Sequence, residues 1–172
     1  MKTRKIIAAL AILCCMVTHN VTWAETRVYF SPPLAGEQKA AAYIIAALDA
    51  AESEILVQQY QITEPGIIGA LSAAQGRGVK VTALLDKGEH QGAAALSAGG
   101  IPVYFDPRRI AHNKVLIIDK KLVICGSFNL TKSANLKNIE NCCFMDDAAV
   151  VQRFLWNFQR RLRVAQKVSS EP

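Results

Sequence analysis

The sequence has no internal repeat, no low-complexity segment and no Pro- or Gly-rich linker between its apolar stretches. Repeat architectures and tethered multi-domain chains are thereby excluded. Its cysteines and histidines fall in no spacing that suggests zinc. No motif is surrounded by the several carboxylates that a pair of bound metal ions would need. The apolar run nearest to a membrane span, Ile6 to Val17, is too short for a comfortable transmembrane helix.

That run belongs to an N-terminal segment with three parts. Lys2, Arg4 and Lys5 form a basic start, Ile6 to Val17 is apolar, and Thr22-Trp23-Ala24 offers a cleavage site after Ala24. Residues 1–24 therefore read as a secretory signal peptide, and a periplasmic or secreted location is expected for residues 25–172. Contact with a membrane follows only if the segment stays uncleaved. Three of the 20 Lys and Arg lie in residues 1–24 and none of the 14 Asp and Glu does, which leaves a formal charge of +3. So mild an excess does not by itself identify a nucleic-acid partner. The remaining 148 residues suit one domain with a real core. Three cysteines remain, Cys125, Cys142 and Cys143. Either they are buried thiols on core strands, or Cys125 bridges to one of the adjacent pair in an oxidising compartment.

Strand and helix patterns alternate along residues 25–172. Strands are expected over 27–30, 54–60, 79–85, 101–105 and 139–145. Helices are expected over 37–51, over about 64–75 with Thr63 as its cap, weakly over 91–98, and from 148 to about 167. A loop or helical turn is expected over 130–137. The alternation argues for an α/β fold, a central β-sheet with helices on both faces.

The chemistry concentrates in His112 to Asn129, HNKVLIIDKKLVICGSFN. Val115 to Ile118 and Leu122 to Cys125 are apolar and rich in β-branched residues, with Asp119-Lys120-Lys121 as the polar break of a hairpin. Side chains two apart on a strand share a face, so His112 and Lys114 point the same way, as do Ser127 and Asn129. The turn brings Gly126 and Ser127 back beside His112. An imidazole, an ammonium, a hydroxyl and a carboxamide then share one patch, a set suited to a phosphate ester.

The spacing His112-x-Lys114-x4-Asp119-x6-Gly126-Ser127-x-Asn129 resembles the HKD motif of the phospholipase D superfamily. The resemblance implies a mixed sheet with the hairpin at its centre. It implies a metal-independent phosphodiesterase, with no cofactor, in which His112 attacks phosphorus, Lys114 and Asn129 bind phosphoryl oxygens and Ser127 supports the site. Asp119 and Glu140 are the acidic residues expected near the motif's functional end. Asp119 is expected to orient the hairpin, and Glu140 to hydrogen-bond the catalytic histidine. The chain carries one motif where longer family members carry two, so a homodimer with its active site on the two-fold axis is expected.

Size, export signal and single motif are similar to the Nuc-type endonuclease subgroup, which implies DNA, and RNA as a further candidate, as substrate. A phospholipase D or cardiolipin-type lipid phosphodiesterase is the alternative. A non-catalytic nucleic-acid-binding or secretion-system accessory protein is the second alternative. Arg108 and Arg109 lie just before the motif, where they either contact a phosphate backbone or form a solvated loop. Arg160, Arg161 and Arg163 are expected on a solvated helix face. Phe154, Leu155, Trp156 and Phe158 are expected in the core or an interface, and His90 in a solvent-facing loop.

Overall fold

The computed structural model describes residues 24–168, so the expected signal peptide lies almost wholly outside the described residues. Eight strands form one sheet in the order β1-β7-β6-β5-β2-β3-β4-β8. They are β1 Thr26–Ser31, β2 Glu54–Gln59, β3 Lys80–Leu85, β4 Val103–Phe105, β5 Val115–Ile118, β6 Leu122–Gly126, β7 Glu140–Met145 and β8 Gln166–Lys167. The helices are α1 Ala40–Asp49, α2 Pro65–Gly76, α3 His90–Ala98, α4 Lys132–Leu136 and α5 Ala148–Leu162.

The sheet has two halves. β2, β3 and β4 run parallel, joined by α2 and α3. β5, β6, β7 and β1 run antiparallel to one another. The halves meet where β5 pairs antiparallel with β2, at the centre of the sheet. Period-2 alternation then divides the core. Ile55, Val57, Leu116 and Ile118 face α1 and α2 through Ile44, Leu48, Ile67 and Leu71. Leu56, Leu84, Val115, Ile117 and Val123 face α5 through Val151, Leu155 and Phe158. Helices therefore cover both faces of a mixed sheet, as expected.

Strand ends differ from the sequence expectation by one or two residues, as where β4 begins at Val103 instead of Ile101, and three helix ends differ for reasons of their own. Thr63 does not cap α2: the N-cap is Glu64, with no side-chain cap bond, and the N–H groups of Thr63 and Glu64 both donate to Leu130 C=O. That pair of bonds ties the β2–α2 loop to the end of the hairpin, where the site forms. α1 begins at Ala40 because Leu34 to Glu37 close a turn of their own, with Gly36 at φ +85°. α5 stops at Leu162 instead of running to about Lys167, because its apolar stripe of Val151, Leu155, Phe158 and Leu162 ends there. The chain then turns back, and Gln166–Lys167 pair with Phe105 and Tyr104 as the edge strand β8.

The three thiols of the described residues are free. Cys125 lies directly across from Cys143 in the β6–β7 register, whereas Cys142 turns to the opposite face and into the core. Burial pushes the Cys142 thiol up to about 12, with the neighbouring thiols adding to the effect. Of the α5 aromatics, Phe158 is buried and Phe154 packs on the same cluster, while Trp156 stands exposed between Arg153 and Arg160, 5.8 and 4.7 Å from its ring centre. His90 is exposed but opens α3 instead of sitting in a loop.

Candidate active site

The hairpin turns at Asp119 and Lys120, both in the left-handed region at φ 52° and 56°, and Lys121 N–H donates to Ile118 C=O. Left-handed pairs of this kind match the twist of adjoining strands. Asp119 holds the turn down. Its carboxylate accepts from the backbone N–H groups of Glu52, Ser53 and Glu54 and from Ser53 Oγ, at 2.7–2.9 Å. Desolvation works to raise its pKa, but the four donors outweigh it and hold the carboxyl at about 2. Asp119 therefore sits at the far end of β5 from His112. Its expected place near the functional end is not what the structure shows: it orients the hairpin and does not touch the site.

The open end carries the chemistry. His112 is exposed and Lys114 is buried. Lys114 Nζ donates to His112 C=O at 2.7 Å and lies 3.3 Å from each imidazole nitrogen. The Tyr60 ring packs on His112 with centroids 4.7 Å apart, and Lys114 Nζ lies 5.1 Å from the Tyr60 ring centre. Extending the strand register by one residue places Gln59 and Gly126 on either side of Lys114. The Lys114 surroundings are otherwise apolar, with Leu116, Phe128, Leu130 and Cys142. Burial accordingly lowers the Lys114 pKa, and the Glu140 carboxylate works against that shift.

The glycine of the motif has a steric reason. A Cβ on Gly126 would collide with the backbone O of Asn141 on β7. Ser127 Oγ accepts from Asn141 N–H at 3.1 Å, so it fastens the end of β6 to β7. Asn129 is half-buried, and its Oδ1 has no hydrogen-bond partner among the described residues; Gln59 Oε1 is in the same condition. Unpaired buried amide oxygens cost stability and mark a place where a further polar group is to be met. Turning a carboxamide over exchanges its acceptor for its donor, so Asn129 can present either to a phosphoryl group.

Glu140 opens β7, and its Oε1 accepts from Asn138 Nδ2 at 3.0 Å. The expected hydrogen bond to His112 is not made; the group on which its charge bears is Lys114. Arg109 lines a cavity of about 110 Å³ together with His112, Asn113, Gln58 and Arg161. Arg108 lines a neighbouring one of about 410 Å³. Arg109 therefore borders the site, and Arg108 borders the cavity beside it. Arg161, expected on a solvated helix face, lines both cavities.

Three further residues escaped the sequence analysis. Tyr60 and Gln59 sit at the carboxyl end of β2, and Asp86 at the carboxyl end of β3. Asp86 accepts from Ala111 N–H at 2.9 Å and Gly88 N–H at 2.9 Å, and so pins the segment that presents His112. Their shared signal is position: polar residues at the carboxyl ends of adjacent parallel strands are where α/β sheets place ligands.

Comparison with known proteins agrees with this geometry. Residues 44–162 match the family described as "Cardiolipin synthase, PLD-like domain". A phospholipase D of Rickettsia conorii is 37% identical over 162 residues, covering 89% of this chain and 79% of that protein. The mitochondrial cardiolipin hydrolase of Mus musculus is 33% identical over 68% of this chain and 55% of its own. Among solved structures, the phospholipase D family member Nuc from Salmonella typhimurium superposes with a TM-score of 0.77 at 33% identity, covering 86% of this chain and all of that one. The chain belongs to the phospholipase D superfamily of phosphodiesterases. Within the superfamily it is of the Nuc type, with its HKD motif spread over the two ends of the central hairpin.

Proposed function

We propose that this protein is an exported, metal-independent endonuclease that hydrolyses DNA, and RNA as well, through a phosphohistidine intermediate. The observation that carries the proposal is the buried ammonium of Lys114 beside the exposed imidazole of His112, at the mouth of an arginine-lined cavity. His112 attacks phosphorus, so that a P–N bond forms as the P–O bond to the leaving group breaks. A second imidazole gives its proton to the leaving oxygen, then takes one from the water that attacks the phosphohistidine and frees His112. Lys114 and Asn129 meet the phosphoryl oxygens. One chain supplies one such histidine, so the second comes from the partner subunit of a two-fold homodimer. Light scattering on active enzyme checks this: a dimer is expected, and an active monomer overturns it.

Among the described residues no group of three or more His, Cys, Asp or Glu could hold a metal ion. The test is the purified chain from Glu25 onward on plasmid DNA, RNA and phosphatidylcholine vesicles, each with excess EDTA. Nucleic-acid cleavage that survives EDTA supports the proposal, whereas loss in EDTA with recovery in magnesium ends it. Export is tested separately by mass spectrometry of periplasmic fractions, in which the mature chain should begin near Glu25.

Lipid phosphodiester hydrolysis is the second reading, and a specific observation favours it. Ile110, in the wall of the His112 cavity, and Ile139, which precedes Glu140, are 69% and 92% exposed, as suits contact with an apolar surface. The names of the Rickettsia and Mus musculus relatives point the same way. Cleavage of vesicles and not of nucleic acid would decide for it.

A further inference from the structure

We infer that Arg109 and Arg161 form a second phosphate subsite beside the His112 site, one that selects substrates with phosphodiesters in series, as in a nucleic-acid strand, over a single phosphodiester. The inference rests on the phosphodiesterase reading above and sharpens its substrate class. The two cavities share Asp106, Arg109 and Arg161 as walls. The two cavities therefore adjoin, with His112 in the wall of one and Arg108 and Val164 in the wall of the other. Three arginines line the pair of cavities against the single acidic residue Asp106, whose Oδ1 is already engaged by Arg108 N–H at 3.0 Å.

None of the three arginines is in an ion pair; those found among the described residues are Arg27–Glu25 and Lys120–Glu54. Nor does any of their side chains make a hydrogen bond within the described residues. In this they differ from Arg77, which donates to Leu48 and Asp49 carbonyls, and from Arg160, which lies over Trp156. Arginines without a partner around adjoining cavities are suited to planar, two-pronged recognition of phosphate. Arg161 is also well anchored. It projects from α5 between the core residues Phe158 and Leu162, so its backbone is held by the packing of the whole helix. A phosphate seated against it would share a cavity wall with the one at His112.

The experiment compares wild type, Arg161→Gln, Arg109→Gln and Arg161→Lys on two substrates. One is bis(p-nitrophenyl) phosphate, a single phosphodiester; the other is a single-stranded oligonucleotide. Turnover of the small diester reports folded, active enzyme in each preparation. For each Gln variant, the KM ratio of oligonucleotide to small diester should rise roughly 10-fold. The slope of log KM for the oligonucleotide against log salt should fall by about 1. Arg161→Lys should recover the salt slope and only part of the affinity, because it keeps the charge without the fork. An unchanged ratio, or equal losses on both substrates, overturns the subsite while leaving the nuclease proposal standing. Wild type that turns over the small diester and no nucleic acid overturns both. Phosphatidylglycerol vesicles that depend on Arg161 as strongly as the oligonucleotide does would overturn the assignment to strands.

Discussion

The two ends of one hairpin carry opposite kinds of polar group. At the turn, Asp119 accepts four hydrogen bonds and its carboxyl is held at about 2. At the open end, Lys114 is buried without an ion pair, and the amide oxygens of Asn129 and Gln59 are buried without partners. Four residues of strand separate the two ends, Val115 to Ile118. Satisfied polar groups lower the energy of the folded chain; unsatisfied ones raise it and persist where function needs them. Both ends belong to a single motif, yet only one is chemical. Substitutions at the open end should therefore remove activity and spare stability, and those at the turn should do the reverse.

The largest expected effect is at His112. His112→Asn should lower turnover at least ~10⁴-fold, the scale of losing a nucleophile that acts as a unit with its partners. Its thermal midpoint should stay at the wild-type value, since the ring is exposed. Calorimetry beside a single-turnover assay checks both halves, and near-wild-type activity would end the mechanism. Lys114→Ala should follow, with kcat down about 10²–10³-fold, the scale of removing a main electrostatic stabiliser. Its stability should hold or rise, because a buried ammonium costs free energy that the folded chain no longer bears. A large loss of thermal midpoint in Lys114→Ala would show that the open end is structural after all.

Asp119→Ala should reverse the pattern. Four acceptor bonds vanish, and the loss should be ~1–3 kcal/mol, toward the low end because the carboxylate is only half-buried. The kcat of the remaining folded enzyme should be near that of wild type. The contribution also has a pH signature. The folded pKa, about 2, lies below the ordinary 3.8, so the stabilisation is fully present above the unfolded value and fades as pH falls toward 2. Wild type and Asp119→Ala should therefore converge in stability as pH falls from 3.8 toward about 2, in denaturant titrations at stepped pH.

The sequence announced the hairpin because two β-branched runs flank a polar break, and the motif because its polar residues recur at fixed offsets. The strands of the parallel half were legible for the same reason. Tyr60, Gln59 and Asp86 were not, since a polar residue after an apolar strand looks the same whether it ends in solvent or at a site. Their place beside His112 and Lys114 comes from the pairing of β2 with β5 and the proximity of β3, both set by long-range packing. Arg161 was hidden by its neighbours: in a run with Arg160 and Arg163, only the helix phase fixed by Phe158 and Leu162 turns one of them to the two cavities. Glu140 was expected against His112, but its charge bears on Lys114, a pairing that no spacing could give.

That last point can be sharpened by the smallest expected effect. Burial lowers the Lys114 pKa from 10.5, and the Glu140 carboxylate pulls it back. If the ammonium form is the active one, activity falls at alkaline pH as Lys114 loses its proton, and this limb lies below the position of an ordinary lysine. Glu140→Gln removes the opposing charge while keeping an acceptor for Asn138. The Lys114 pKa should then fall further, and the alkaline limb of kcat/KM should move to lower pH, with little change at the plateau. A Glu140 that worked by hydrogen-bonding His112 would behave differently. Its removal would move the acid limb, in the region where an imidazole titrates, and leave the alkaline limb in place. A pH–rate profile of the two enzymes separates these outcomes, and a shift confined to the acid limb would return Glu140 to the histidine.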